Sequence, residues 1–247
     1  MNIVYRVINL NRTISALKLT MILSAVIVAA AFIFIGSFGG KAVFKEKRQK
    51  IIIDAGHGLP DGGAVASDGT IESDLNLAIA KHLYEKLHAA GFECIMLRND
   101  ENSIYTEGNT IHAKKVSDIK NRVETAVKND DAFVVSIHMN TFETPDVHGA
   151  QVFYKSGSSI SKDIAVEIQN IINLKYQPDN TKVSKPIPSN VYLFNHINND
   201  SVLVECGFLT NNDDLSKLKD ADFQEDISKS IAEVITYKLS GSETNVE

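Results

Sequence analysis

Three apolar runs in the sequence each lead into a side chain able to bind a metal or move a proton. Ile51-Ile52-Ile53 leads through Asp54-Ala55-Gly56 to His57, Phe133-Val134-Val135-Ser136-Ile137 to His138, and Ser201-Val202-Leu203-Val204 to Glu205. Glu72 is a fourth candidate, just ahead of a helical pattern that starts near Asp74. Two imidazoles and one carboxylate are the protein ligands of an open catalytic zinc site, and a further carboxylate nearby can move protons. Which glutamate would do which is open at this level. Gly56 and Gly58 suit a tight turn that lets His57 face an ion. Each residue also has a plainer reading: His138 as a hydrogen-bonded strand-end histidine, and Glu72 as an acid favouring a helix N-terminus. Glu205 is harder to explain that way, because a carboxylate after a buried strand costs free energy unless paired. His82, His88, His112, His148 and His196 fall in helices or polar loops and are assigned no role.

These side chains meet only if their runs are neighbouring parallel strands, because ligands of open α/β sheets bind beyond the carboxyl ends of the strands. The pattern predicts such a sheet. Strands are expected at 51–53, 94–97, 132–137, 150–154 and 201–204. Leu75, Ile79, Leu83 and Leu87 recur every four residues and predict a helix ending near Gly91, with further helices at 116–127, 160–172 and 227–239. Strands alternating with helices imply an α/β fold, a single twisted, mixed but mostly parallel sheet flanked by helices. The stretches 99–115 and 177–190 are long for loops of a compact domain and are expected to wall a substrate groove.

The composition is that of an ordinary globular protein: 247 residues, 44% hydrophobic and 23% charged, which excludes collagen, coiled coil and wholesale disorder. Cys94 and Cys206 are too few for a disulfide scaffold or a four-cysteine zinc finger. Cys206 is expected to face away from Glu205, since strand neighbours alternate faces. The charge is split. Residues 1–50 hold eight basic residues against Glu46, a net +7, while the remainder holds 17 basic and 30 acidic residues, a net −13. So acidic a body is a poor partner for nucleic acid. Residues 19–40 form a run of 22 without a charge. As a helix that run would span roughly 33 Å, enough for a bilayer core. Preceded by Arg6, Arg12 and Lys18, it reads as a signal anchor in the membrane, with a cleaved signal peptide as the alternative. The expected organisation is 1–40 anchor or signal, 41–49 basic linker, 50–240 catalytic domain and 241–247 tail.

From about residue 50 to 239 the chain resembles the zinc-dependent N-acetylmuramoyl-L-alanine amidases of the amidase-3 type. The matching pieces occur in order: residues 51–63 as opening strand and metal loop, Glu72-Ser73-Asp74 as an acid-start helix, Leu97-Arg98-Asn99-Asp100 as an arginine-bearing strand end. Ser136-Ile137-His138-Met139-Asn140 and Leu203-Val204-Glu205-Cys206-Gly207-Phe208 resemble the second histidine and terminal glutamate motifs. Asp61-Gly62-Gly63-Ala64, the stretch from Lys115 to Arg122, and Gly149-Ala150-Gln151 through Tyr154 are most similar to the spore-cortex branch of that family. The resemblance implies His57, Glu72 and His138 as ligands of Zn2+, Glu205 as catalytic acid/base, and Arg122 orienting the substrate or Glu205, with a structural salt bridge equally open for Arg122. It implies hydrolysis of the amide between the lactyl carbonyl of N-acetylmuramic acid and L-alanine in peptidoglycan, outside the cytoplasmic membrane. For the cortex branch it implies the forespore intermembrane space, a step towards muramic-δ-lactam, and an accessory lipoprotein that stabilises metal binding. The alternative is a non-catalytic amidase-fold module that binds peptidoglycan or a partner; retention of all four site residues argues against it. A zinc exopeptidase fits less well, since such enzymes often hold two metals and only one three-ligand set is found.

Overall fold

Ile51, Ile52 and Ile53 are wholly buried because the strand that carries them, β1 (Lys50–Ala55), is covered on both faces. The computed structural model describes residues 48–240 and Met21; apart from these, the expected anchor, linker and tail lie outside the described residues. Among the described residues no helix is long and apolar enough to cross a membrane.

The other strands are β2 (Glu93–Met96), β3 (Phe133–Asn140), β4 (Gln151–Tyr154), β5 (Lys185–Pro186) and β6 (Ser201–Phe208). Among the described residues they form one sheet in the order β2-β1-β3-β6-β4-β5. The first four are mutually parallel, and β4 runs antiparallel to β6. The sheet is therefore mixed and mostly parallel, as expected. Its register decides the site: Ala55 lies opposite Ile137, and His138 opposite Glu205, so β1, β3 and β6 end side by side.

Helices α1 (Glu72–Ala89), α3 (Ser159–Tyr176) and α6 (Ala221–Ser240) share one core with Ile51, Ile53, Val135, Ile137 and Val204. Helix α2 (Ile111–Lys128) and the single turn α4 (Tyr192–Asn195) pack on the other face, over Ile52, Val134 and Leu203. Period-two alternation along β6 sends Val204 and Cys206 into the first core, so Cys206 faces away from Glu205. Side-chain caps start several helices: Thr110 accepts from Ala113 N at α2, and Ser158 from Ser161 N at α3. Helix α1 has no such cap; its first amides, of Glu72 and Ser73, donate to the carbonyls of Ala64 and Gly62. The loop after β1 thus itself caps the helix that carries Glu72.

Some elements differ from expectation. Strands β3 and β6 continue to Asn140 and Phe208, so His138 and Glu205 lie within strands rather than after them. Helix α2 begins at Ile111, five residues before the expected start. Helix α5 (Asn212–Lys219) was not expected; Asn211 caps it, and its Asp214 accepts from the amides of Phe208 and Gly149, fastening the end of β6.

Candidate metal centre

His57, Glu72 and His138 each bring one ligand atom to the carboxyl edge of the sheet, all within 4.8 Å of one another. Glu72 Oε1 lies 3.0 Å from His138 Nδ1 and 3.4 Å from His57 Nε2. The carboxylate that joins the two imidazoles is therefore Glu72, and Glu205 stands beside the group.

The sequence folds this way because the loop after β1 is gripped by its carbonyls. His57 has φ 58°, a left-handed conformation that non-glycine residues rarely adopt. Arg98 Nε and Arg122 Nη1 both donate to Ala55 O at 2.9 Å, and Arg98 Nη2 to Gly56 O at 3.0 Å. Asn76 Nδ2 also donates to Gly56 O, and Arg122 Nη2 to His57 O. Arg122 is 2% exposed, with its guanidinium on Asp54 and, at 2.8 Å, on Asp118. Burial opposes its charge, but these two carboxylates outweigh burial and raise its pKa. Burial likewise pushes Asp54 up, and Arg122 with the Ser136 hydroxyl pulls it below the usual carboxylate value. Gly56 has a role other than the expected turn: a Cβ there would sit 2.2 Å from His138 Nε2, so the glycine makes room for that ring.

Further contacts hold the three side chains. Glu72 Oε2 accepts from Ala64 N at 2.9 Å, and Oε1 from Met139 N and Asn76 Nδ2 at 3.2 and 3.3 Å. Burial favours protonated Glu72, yet the two imidazoles hold its pKa far below the ordinary range. His57 Nδ1 lies 3.1 Å from Asp61 Oδ2, which Lys115 Nζ approaches to 2.9 Å. Burial disfavours the His57 imidazolium, but Asp61 and Glu72 overcome it and raise the pKa to about 9. Glu205 differs. Its Oε2 is enclosed without a hydrogen-bond partner among the described residues, and burial, with Glu72's charge, pushes its pKa up. Two imidazole nitrogens, one carboxylate oxygen and an orphaned carboxylate alongside form a donor set that fits an open zinc site.

Residues 51–237 match the amidase-3 family, described as N-acetylmuramoyl-L-alanine amidase. The chain belongs to that family. The chain is similar to the germination-specific N-acetylmuramoyl-L-alanine amidase of Bacillus subtilis, 29% identical over 73% of this chain and 76% of that one. Among solved structures it is similar to the CwlD amidase of Clostridioides difficile in complex with the GerS lipoprotein. That likeness has 37% identity and a TM-score of 0.75, over 79% of this chain and all of that one. The amidase AmiC2 of Nostoc punctiforme is 26% identical with a TM-score of 0.65, over 78% of this chain and 97% of that one.

In this amidase-3 chain a groove of about 540 Å³ opens beside His57 and His138. One wall is the face of α2 bearing His112, Lys115, Val116, Ile119 and Lys120; the other is the segment Asn190, Val191, Tyr192. The ends of both stretches expected to wall a groove thus contribute to it. Asp61, Asn76 and Lys115 were not singled out in the sequence as site residues, and His112 was assigned no role. Asp61 and Asn76 had a faint signal, each standing four residues after a ligand-type residue, His57 and Glu72.

Proposed function

We propose that this chain is a zinc-dependent N-acetylmuramoyl-L-alanine amidase of the spore cortex, held at the membrane by residues 19–40 and facing the forespore intermembrane space. It cleaves the amide between the lactyl carbonyl of N-acetylmuramic acid and L-alanine, leaving peptide-free muramic acid as the precursor of muramic-δ-lactam. The observation that carries this reading is the convergence of His57, Glu72 and His138 beside Glu205, whose enclosed Oε2 has no hydrogen-bond partner among the described residues. The cortex assignment is supported by similarity to a germination-specific amidase and to CwlD. The CwlD structure contains a lipoprotein, which supports an accessory lipoprotein partner here; its proposed task is to stabilise metal binding.

His57, Glu72 and His138 would hold the zinc, which when bound supplies a Lewis acid for the scissile carbonyl and acidifies water. The remaining work falls to the chain. Glu205, its pKa raised by burial, takes the proton of the attacking water and returns it to the departing amine of L-alanine. Arg122 acts as a positioning residue, fixing the carbonyls of Ala55 and His57 so that the imidazole keeps its direction. Asp61 fixes the same ring from its Nδ1 side.

The test is release of stem peptides from purified peptidoglycan by the full-length chain in detergent, with and without zinc, beside Glu205→Ala. Zinc-dependent release with a new L-alanine amine is expected, falling about 10²–10⁴-fold in the variant. A folded, zinc-loaded protein that releases nothing, alone or with extract of sporulating cells, would leave only a binding module.

A further inference from the structure

The groove wall beside the metal centre carries a cation that the hydrolytic reading leaves without a task. From residue 51 onward the chain has 13 more acidic than basic residues, yet the first turn of α2 holds no acid. His112 and Lys114 stand there instead, with Lys115 directly after them, where the helix dipole disfavours positive charge. Lys114 is occupied, lying 4.6 Å from the centroid of the Tyr105 ring. Lys115 points into the groove. Its side chain is 53% exposed, and Nζ touches the Asp61 oxygen that also meets His57 Nδ1. A single carboxylate therefore separates this ammonium from a ring of the triad, and an ammonium has three donors to share.

The substrate chemistry supplies a match. With the muramoyl–alanine amide at the triad, the next stem residue is a glutamate linked through its side chain, so its α-carboxyl is either free or amidated. Along an extended peptide that carboxyl falls about 7 Å from the scissile carbonyl, within the neighbourhood that Lys115 shares with His57. Lys120, also on the wall, stands five residues further along α2, about 7.5 Å along the axis. We propose that Lys115 reads the second stem residue and selects peptides in which its α-carboxylate is free. Lys115 thus sets specificity while remaining paired with Asp61. This inference rests on the proposed amidase activity.

The experiment compares two synthetic muramoyl tripeptides, identical except for glutamate or isoglutamine at the second position, with zinc-loaded full-length protein in detergent. The expected preference in kcat/KM for the free acid is about tenfold to a hundredfold, the range of one charge-assisted hydrogen bond. Lys115→Met brings the ratio of the two kcat/KM values close to one, Lys115→Arg keeps the preference, and Lys115→Glu reverses it. A residue that merely supported Asp61 would lower both values by one factor; that result overturns the proposal. Equal cleavage of both substrates by the unaltered protein overturns it as well. Cleavage of neither, alone or with extract of sporulating cells, overturns the amidase reading and this inference with it.

Discussion

His57 is held at both ring nitrogens, by Asp61 at Nδ1 and by Glu72 at Nε2, while its backbone sits in a conformation that side chains disfavour. A carboxylate on the far nitrogen of a metal-binding imidazole fixes its tautomer and makes it a stronger ligand. Asp61→Asn keeps the size of the side chain and removes its charge, and is expected to weaken zinc binding about 10- to 100-fold. Competition with a chelating dye measures this; unchanged affinity would show that Asp61 does not orient the ring. The same contacts give a pH signature. In metal-free protein the His57 pKa is raised from 6.5 to about 9, so its contribution to stability is complete below pH 6.5 and is lost as pH rises through 9. Urea midpoints of chelator-treated protein should fall across that window. Zinc should remove the fall, since a ligated imidazole nitrogen carries no proton to lose.

Among the elements, the turn leaving β1 is the one most dependent on distant residues. Arg122 reaches it from α2, and Arg98 from just beyond β2, 42 positions from Gly56 in sequence. Arg122→Met leaves Asp54 and Asp118 buried without their counter-charge, a change that costs about 3–5 kcal/mol. Arg122→Lys keeps the charge but not the planar fork that serves two carboxylates and two carbonyls, so it should recover only part of the loss. Urea unfolding of zinc-free protein tests both; a loss under about 1 kcal/mol for Arg122→Met would mean that this network is not structural. These contacts were hard to read in the sequence because register and topology, not spacing, create them. Arg122 could be picked out only through its family motif, and whether it served substrate or scaffold stayed open. The strands themselves were legible. Ile51-Ile52-Ile53 and Phe133-Val134-Val135 are apolar runs with one structural solution, and the four-residue recurrence from Leu75 to Leu87 marks α1. The start of α2 was not. Ile111-His112-Ala113-Lys114-Lys115 has no apolar stripe, and the Thr110 cap with the Lys114–Tyr105 contact holds it instead. His57, His138 and Glu205 were readable as residues that follow apolar runs, although His138 and Glu205 lie within their strands rather than after them. The choice of Glu72 over Glu205 as the partner of the imidazoles needed either the family motif or the fold.

At the scale of the whole domain, the triad draws on three separate elements: the loop after β1, the first turn of α1 and the end of β3. Glu72 and the two histidines tie these elements together through hydrogen bonds and ion pairs. Zinc bound by the triad would add a cross-link present in the folded state alone, because no unfolded chain holds these three residues within reach of one ion. Binding to the folded state at a hundred times the dissociation constant adds about 2.7 kcal/mol. For a domain of this size that amounts to a rise of about 5–10 °C in the thermal midpoint. The shift should grow with the logarithm of zinc concentration, disappear with EDTA, and be absent in His57→Ala. Glu205→Ala should retain it, because Glu205 stands outside the three-residue group and the proposed mechanism gives it the proton rather than the ion. A midpoint indifferent to zinc would remove the triad as a metal site. A shift abolished equally by Glu205→Ala would make Glu205 a ligand and leave the proton without a carrier. The pair of variants therefore separates holding the metal from moving the proton, even before any peptidoglycan is cleaved.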